Sequence, residues 1–93
     1  MIPLISCVMP TYNRAHFVPM SIRCFLQQTH ENKELIIVDD SDGICPEVPL
    51  DSRIQYIRLN KRTSTGEKRN IGAEAARGQL VANWDDDDFS ASY

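Results

Sequence analysis

The amino-acid sequence predicts an α/β fold: a mostly parallel, four-stranded, Rossmann-like sheet in the strand order 3-2-1-4, with two main helices. Apolar strand segments and amphipathic helix segments follow one another as β-α-β-β-α-β. The first two strands are apolar along their whole middle, which is typical of strands buried on both faces. Unusual polar residues follow three of the strands. Right-handed crossovers would bring these strand ends to one edge of the sheet.

The bulk composition limits the class of protein. The chain has 93 residues and a net charge of -3, with 42% hydrophobic and 25% charged residues. These values fit one soluble globular domain over 1–93 and do not favour a nucleic-acid partner. No apolar run approaches the roughly 18 residues of a membrane span. The three cysteines lack CxxC spacing, and we expect Cys7 and Cys24 to be reduced core residues of a cytoplasmic protein.

The first half of the chain contains three predicted strands and one helix. The strands cover 4–9, 34–39 and 53–60, and Pro10 should end the first because it has no N–H for a ladder. The helix covers 17–28. Its apolar residues have the spacing i, i+4, i+7, i+8, which makes one stripe: Val18, Ile22, Phe25 and Leu26.

The second half opens with a helix whose start and end are both marked. Ser64, with Glu67 three residues later, matches a capping box. Gly78 should supply the C′ stop, and Gly72 should allow the helix to approach the sheet closely. The fourth predicted strand covers 80–84, where Trp84 reads as a packing residue.

The polar residues after three strands define the candidate site. They are Thr11 to Arg14, the pair Asp39-Asp40, and the run of four aspartates at 85–88. In the predicted strand order these ends line a crevice between strands 1 and 4, where open α/β sheets bind ligands. Four adjacent carboxylates are tolerable when solvated or when a cation neutralises them. Taken alone, they are equally compatible with a solvated acidic turn.

The residue types at this edge suit a nucleotide with a diphosphate. Asp40 can accept the imide N–H of a uracil-type base, Tyr12 can stack on the base, and Thr11 can donate a hydrogen bond. Arg69 can reach base carbonyl oxygens or phosphate. A diphosphate beside carboxylates requires a bridging divalent metal, and oxygen ligands suit Mg²⁺ or Mn²⁺. Glycine-rich phosphate loops are absent, and His16, His30 and Lys68 are expected at the surface, with a phosphate contact as the alternative for Lys68.

The sequence resembles the N-terminal half of inverting family 2 glycosyltransferases with the GT-A fold. Five segments carry the resemblance in the expected order, across nearly the whole chain. They are Pro-Thr-Tyr-Asn-Arg at 10–14, Phe-Leu-Gln-Gln-Thr at 25–29, Glu-Leu-Ile-Ile-Val-Asp-Asp-Ser at 34–41, Arg-Asn-Ile-Gly at 69–72 with Ala-Arg-Gly at 76–78, and the four aspartates at the family's metal-binding DxD position.

The resemblance implies a role for each matching residue. A group of five would hold the nucleotide base and its neighbourhood: Pro10, Thr11, Tyr12, Asp40 and Arg69. Asp86 would lie near the ribose and diphosphate. Asp87 would bind Mg²⁺ or Mn²⁺ directly, with Asp85 or Asp88 in support. Asp39 is expected to have a structural role at the strand end.

Two departures from the family pattern keep alternatives open. The turn after Asp40 reads Ser41-Asp42-Gly43, so neither Ser41 nor Asp42 is assigned a role. The family's acceptor-binding half and general base, usually Asp or Glu, follow the DxD position, so we expect no catalytic residue within 1–93. The main reading is therefore a donor-binding half of a glycosyltransferase. Its expected donor is a UDP-sugar, with dTDP- and GDP-sugars as alternatives, and we expect it to associate with a membrane only as part of a longer protein. The alternatives are a non-catalytic nucleotide-binding module that self-associates through its exposed sheet edge, and a divalent-cation site without nucleotide.

Overall fold

The fold has the predicted order of elements. The structure is a computed structural model that describes residues 3–43 and 46–84. Its six elements are β1 (Ile5–Thr11), α1 (Val18–Leu26), β2 (Lys33–Asp39), β3 (Ile54–Arg58), α2 (Thr65–Ala75) and β4 (Leu80–Asn83). The strands form one sheet in the order β3-β2-β1-β4, and every neighbouring pair is parallel. The predicted α/β class and strand order are confirmed.

The larger core lies between α1 and one face of the sheet. Because side chains alternate along a strand, odd-numbered residues of β1 and β2 point to this face. Trp84, just after β4, is buried here and meets Phe25 edge-on, with ring centroids 6.1 Å apart. Its indole Nε1 donates to Ser21 Oγ at 2.8 Å, so the packing role predicted for Trp84 is confirmed. The buried members of the cluster are Cys7, Met9, Val18, Ile22, Phe25, Leu35, Ile37 and Trp84.

The smaller core lies between α2 and the opposite face. Its fully buried apolar residues are Val8, Ile36 and Val38. A Cβ added to Gly72 would overlap Val8 Cγ1, so only glycine lets α2 come this close to β1, as predicted. The two helices therefore cover opposite faces and make a three-layer fold.

Gly78 has a different role from the one expected. The α2 helix ends at Ala75, and Ala76 is already extended, with φ -69° and ψ 137°. No glycine in the described residues has a positive φ, so the predicted C′ stop at Gly78 is wrong. A Cβ on Gly78 would lie 2.6 Å from the Leu4 carbonyl oxygen. Glycine is needed there because the chain crosses close to β1.

Strand β1 continues through Pro10 to Thr11, so the expected end at Pro10 is also wrong. Pro10 lies opposite Val38 of β2. The Val8 carbonyl accepts a hydrogen bond from Trp84 N at 3.0 Å, and alternate residues of a parallel strand bond to opposite neighbours. The nitrogen of Pro10 therefore faces the β4 side of β1. The pairing of β1 with β4 ends at Asn83, so the described part of the sheet needs no N–H from Pro10.

Lys33 lies just outside the predicted strand 34–39, but in the structure it begins β2 and is buried. Its ammonium donates to the carbonyl oxygens of Phe25 at 2.7 Å, Gln28 at 2.9 Å and Leu26 at 3.3 Å. These carbonyls belong to the C-terminal end of α1, where backbone acceptors lack helical partners. Burial, followed by the charge of Arg53, lowers the pKa of Lys33. The lysine thus fixes the end of α1 against the sheet.

Cys7 and Cys24 are reduced, as predicted. Cys7 is buried in the larger core and Cys24 is half-buried. Burial raises the pKa of Cys7 to about 11, against an opposing effect of the Lys33 charge. Cys45 lies outside the described residues. No helix within 3–43 and 46–84 has the length and hydropathy needed to cross a membrane.

Candidate functional site

The carboxyl edge of the sheet sends two adjacent carboxylates to opposite faces. Asp39, the last residue of β2, is fully buried on the α1 face. Its carboxylate accepts hydrogen bonds from Tyr56 Oη at 2.6 Å and from Ser41 N at 2.8 Å, and Ser41 Oγ also donates to it. Arg58 lies 3.8 Å away. These contacts agree with the structural role expected for Asp39.

Ser41, to which no role was assigned, connects the loops that follow β1 and β2. Its Oγ accepts from Asn13 N at 2.7 Å, and its carbonyl oxygen accepts from Arg58 Nη2 at 2.6 Å. Arg58 also donates to the carbonyl oxygen of Gly43 at 3.1 Å. Asn13 has φ 53°, in the left-handed region that asparagine tolerates better than most residues. The two loops are therefore held as one wall beside Asp40.

Asp40 points to the α2 face and forms a buried ion pair with Lys68. Lys68 Nζ is 2.7 Å from Asp40 Oδ1 and also donates to the Thr11 carbonyl oxygen at 3.2 Å. The backbone N–H of Thr63 donates to Asp40 Oδ2 at 2.6 Å. Burial alone would raise the pKa of Asp40, but the hydrogen bonds from Lys68 and Thr63 outweigh it and hold the pKa below its ordinary value.

The expectation that Lys68 faces solvent is wrong, since its side chain is only 5% exposed. Lys68 and Gly72 are four residues apart and therefore share one face of α2, the face that approaches the sheet. Burying the Lys68 ammonium is costly without compensating contacts, and the Asp40 carboxylate supplies an opposite charge. The spacing to Gly72 was the sequence signal that could have revealed this position.

Arg62 is a site residue that the sequence reasoning missed. Its guanidinium carbon lies 3.6 Å from the centroid of the Tyr12 ring, and its Nε lies 3.5 Å from Asp40 Oδ2. The basic pair Lys61-Arg62 lies between β3 and α2, at the carboxyl edge of the sheet. This position in the sequence was the signal that could have identified Arg62 as a site residue. A cavity of about 360 Å³ opens beside these residues, and its rim is mixed in charge. It is lined by Tyr12, Asp40, Ser41, Asp42, Arg58, Leu59, Asn60, Lys61 and Arg62.

The other predicted site residues are placed as follows. Thr11 is buried at the end of β1, and Pro10 and Tyr12 are half-buried beside it. Arg69 is half-buried on α2, and its Nε is buried without a hydrogen-bond partner within the ranges that the structure describes. The structure thus brings Thr11, Tyr12 and Asp40 together, and leaves one donor of Arg69 unused among those residues.

The predicted metal ligands Asp85 and Asp87, together with Asp86 and Asp88, lie outside the described residues. Within 3–43 and 46–84, no group of three or more His, Cys, Asp or Glu side chains is arranged to hold a metal ion. The prediction of Mg²⁺ or Mn²⁺ therefore depends on the oxygen chemistry of residues 85–88 alone.

The protein has a three-layer α/β fold, with a cavity of mixed charge and an aromatic ring at the carboxyl edge of its parallel sheet. This arrangement is typical of the class of ligand-binding α/β proteins. Comparison with known families narrows this class. The model of the family described as glycosyl transferase family 2 matches residues 6–92. The chain belongs to this family.

Relatives with similar sequences are glycosyltransferases of bacteria. The chain is 34% identical over 87 residues to an uncharacterized glycosyltransferase of Haemophilus influenzae, covering 91% of the chain and 30% of that protein. It is 34% identical over 92 residues to TuaG of Bacillus subtilis, covering 92% of the chain and 36% of TuaG. It is 31% identical over 92 residues to GlyG of Streptococcus pneumoniae, covering 92% of the chain and 31% of GlyG. The chain thus spans about a third of the length of these relatives.

Two solved structures are similar in fold to this chain. The mannosyltransferase PcManGT from Pyrobaculum calidifontis, in complex with GDP-Man and Mn²⁺, has a TM-score of 0.76 at 18% identity, over 94% of this chain and 28% of that one. Staphylococcus aureus TarS 1-349 in complex with UDP has a TM-score of 0.72 at 21% identity, over 90% of this chain and 27% of that one. At these identities the likeness establishes the shared GT-A fold.

Proposed function

We propose that this chain is the donor-binding part of a metal-dependent glycosyltransferase that transfers a sugar from a nucleotide-sugar to a glycan or lipid-linked acceptor. The observation that carries the proposal is the convergence of Tyr12, Asp40 and Arg62 at the carboxyl edge of the sheet in a member of glycosyl transferase family 2. The relatives are about three times as long as the match. Acceptor binding and the general base belong, in this proposal, to their additional length, and residues 1–93 bind donor without turnover.

The base of the donor binds against Tyr12 and Asp40 in this proposal. Tyr12 offers a stacking face, and Asp40 offers acceptor oxygens to a base that presents an N–H. Uridine is the favoured nucleoside. Two structural neighbours support a nucleotide ligand, since one is in complex with UDP and the other with GDP-Man. Thr11 and Pro10 shape the floor of the site at the end of β1.

The phosphates of the donor lie toward α2 and the acidic run. The buried Nε of Arg69 has no hydrogen-bond partner among residues 3–43 and 46–84, and it supports an anionic ligand on this side because a buried guanidinium donor without an acceptor is costly. Asp85 and Asp87 would hold Mg²⁺ or Mn²⁺, and Asp86 would lie near the ribose and diphosphate. The metal would offset negative charge that develops on the nucleoside diphosphate leaving group. The reduced state of Cys7 and Cys24 supports a cytoplasmic site of action.

Calorimetric titration of the chain with UDP, in Mn²⁺ and in EDTA, tests the proposal. We expect binding in Mn²⁺ that weakens at least tenfold in EDTA, because carboxylates repel an unbridged diphosphate. Asp87→Asn should remove the metal dependence. Asp51→Asn, at a carboxylate paired with Arg53 elsewhere on the chain, is the matched control and should bind normally. Absence of UDP binding, together with no rise in melting temperature, would contradict the proposal.

A specific feature of β4 favours a second candidate, a module that self-associates. All four residues of this strand are exposed, and Leu80 and Val81 are 53% and 51% accessible. An uncovered apolar edge strand can pair with a second copy of itself. Light scattering across a concentration series should show a dimer that Val81→Lys disrupts. A monomer at all concentrations would exclude this candidate.

A further inference from the structure

The face of Tyr12 on which a base would stack already carries a side chain of the protein. The guanidinium carbon of Arg62 lies 3.6 Å from the ring centroid, which is stacking distance. From the same position, Arg62 Nε lies 3.5 Å from Asp40 Oδ2. One planar cation therefore covers both the aromatic ring and the carboxylate proposed to recognise the base.

The guanidinium shares with a nucleobase the features that this pair of residues can recognise. It is flat, it is delocalised, and it carries N–H donors around its rim. A flat group stacks on the Tyr12 ring, and a rim donor faces the Asp40 carboxylate. Arg62 thus satisfies the site by the same contacts that a uracil-type base would make.

The groups around Asp40 differ sharply in their freedom to move. The side chain of Asp40 is 0% exposed and that of Lys68 is 5% exposed, and the two are joined at 2.7 Å. The third contact, the N–H of Thr63, is a backbone donor. Arg62, with a side chain that is 67% exposed, is held by a stacking contact and a long ion pair. Among the described contacts of Asp40, Arg62 is the one that can leave without unfolding the site.

We propose that Arg62 is an internal occupant of the base site, which a nucleobase displaces when it binds. This inference rests on the proposed function, because it takes Tyr12 and Asp40 as the base site. Occupation by Arg62 reduces the fraction of molecules that can accept a base, and the apparent affinity falls by that fraction. Arg62 therefore sets how tightly the site binds a base. It also makes the site selective, because a planar group binds only if it competes well with the Arg62 guanidinium.

Uridine is the probe that isolates this competition. It carries the base but no phosphate, so loss of the Arg62 charge does not weaken an attraction to the ligand. Arg62 is held by an exposed cation–π interaction and an exposed ion pair, which are both weak. Removing this competitor in Arg62→Ala should therefore raise uridine affinity about fivefold. Arg62→Lys keeps the charge without the flat group and should give a smaller rise. Arg53→Ala, at a partly exposed cation that pairs with Asp51 and does not line this cavity, is the matched control and should leave the affinity unchanged.

A spectroscopic measurement reports the displacement itself. The Arg62 side-chain protons over the Tyr12 ring should be shifted upfield in the free protein, and Tyr12→Leu should abolish that shift. Addition of uridine should move these resonances to exposed-arginine values in proportion to occupancy. This readout does not depend on the measured affinity, and a merely structural role of Arg62 would leave the shift unchanged by ligand.

The outcomes separate this inference from the function on which it rests. If the wild type binds uridine and UDP with Mn²⁺, but Arg62→Ala binds uridine no more tightly, the inference is wrong and the proposed function stands. The same conclusion follows if the upfield shift persists at saturating uridine or is missing from the free protein. If neither protein binds uridine or UDP with Mn²⁺, both the inference and the proposed function are overturned.

Discussion

The two faces of the sheet are stabilised in different ways. The α1 face buries a large apolar cluster that includes Met9, Phe25 and Trp84. Among the described residues, the α2 face buries only three apolar residues. Both faces bury charged groups at the ends of β2, but on the α2 face each of them is a carboxylate in a close ion pair with a basic side chain. At one end is Asp40 with Lys68. At the other is Glu34, which accepts from Arg77 N at 2.7 Å and from Arg77 Nε at 3.0 Å.

This difference explains where the candidate site lies. The apolar contacts of the larger core stabilise the α1 face roughly in proportion to the area that they bury, whatever the direction of each contact. A face with few apolar contacts depends on paired charges and on the close approach that Gly72 permits. The site occupies the α2 side of the carboxyl edge, where Asp40 is already held rigid by groups that the fold requires.

The largest expected effect comes from removing an aromatic ring from the α1 face. Phe25→Ala should lower the free energy of unfolding by about 3–5 kcal/mol, because it leaves a cavity in the larger core. On the α2 face, Val38→Ala should cost about 2 kcal/mol for two lost methyl groups. Urea denaturation followed by circular dichroism measures both. Equal losses of unfolding free energy in the two variants would show that the two faces do not differ in their apolar stabilisation.

Breaking the buried ion pair tests the electrostatic side of the comparison. Lys68→Met leaves the Asp40 carboxylate buried without its cation and should cost about 3 kcal/mol. The double variant Asp40→Asn, Lys68→Met should recover part of this loss, because no unpaired charge remains. Lys61→Met, an exposed lysine, should change stability by less than about 0.5 kcal/mol. A loss at Lys68 no larger than that at Lys61 would contradict the buried pair.

Gly72 tests the close contact between α2 and β1. Gly72→Ala should destabilise the protein by about 2 kcal/mol, because the added Cβ overlaps Val8 Cγ1. Val8→Ala in the same chain should restore part of the stability by making room. Gly66→Ala, where an added Cβ meets nothing within 4 Å, should instead stabilise α2 by up to about 1 kcal/mol. Equal effects at both glycines in the melting temperature would rule out a steric role for Gly72.

The smallest effect is a dependence of stability on pH. Burial alone would raise the pKa of Glu34, but hydrogen bonds from Ser6 and Arg77 outweigh it and hold the pKa below its ordinary value of 4.5. A carboxylate whose pKa is lower in the folded than in the unfolded state stabilises the fold. This stabilisation is complete above the unfolded-state pKa and is lost as the pH falls through the folded-state pKa. The urea midpoint should be nearly constant from pH 7 to 5 and decline below about 4.5.

Glu34→Gln should flatten that decline, and the exposed substitution Glu47→Gln controls for the loss of one negative charge. An unchanged acid profile in Glu34→Gln would show that this carboxylate does not contribute to the acid dependence.

Periodicity and strand-end composition predicted most of the fold. Continuous apolar runs identified β1 and β2, the stripe from Val18 to Leu26 identified α1, and the Ser64 capping box identified α2, where Ser64 Oγ accepts from Glu67 N at 3.2 Å. The element ends were less accurate. Whether Pro10 ends a strand depends on which neighbour its nitrogen faces, and the place where α2 stops depends on how close the chain passes to β1.

Of the candidate site, the sequence predicted the edge and three of the residues that gather there, Thr11, Tyr12 and Asp40. It did not predict Lys68 or Arg62 as their partners. Both are charged residues in or beside a polar segment, and such residues are usually exposed. Their contacts are long-range: Lys68 meets Asp40 across 28 positions of the chain.

By itself the sequence determined the family, the α/β class and the edge at which chemistry collects, because these follow from local patterns along the chain. Only the tertiary structure decided how the adjacent pair Asp39-Asp40 is divided. Alternation along β2 sends Asp39 to Tyr56 and Asp40 to Lys68, on opposite faces of the sheet. Tertiary structure also decided that Arg62 covers Tyr12. The identity of a side chain fixes which contacts it can make, and the packing of distant segments fixes which of them it does make.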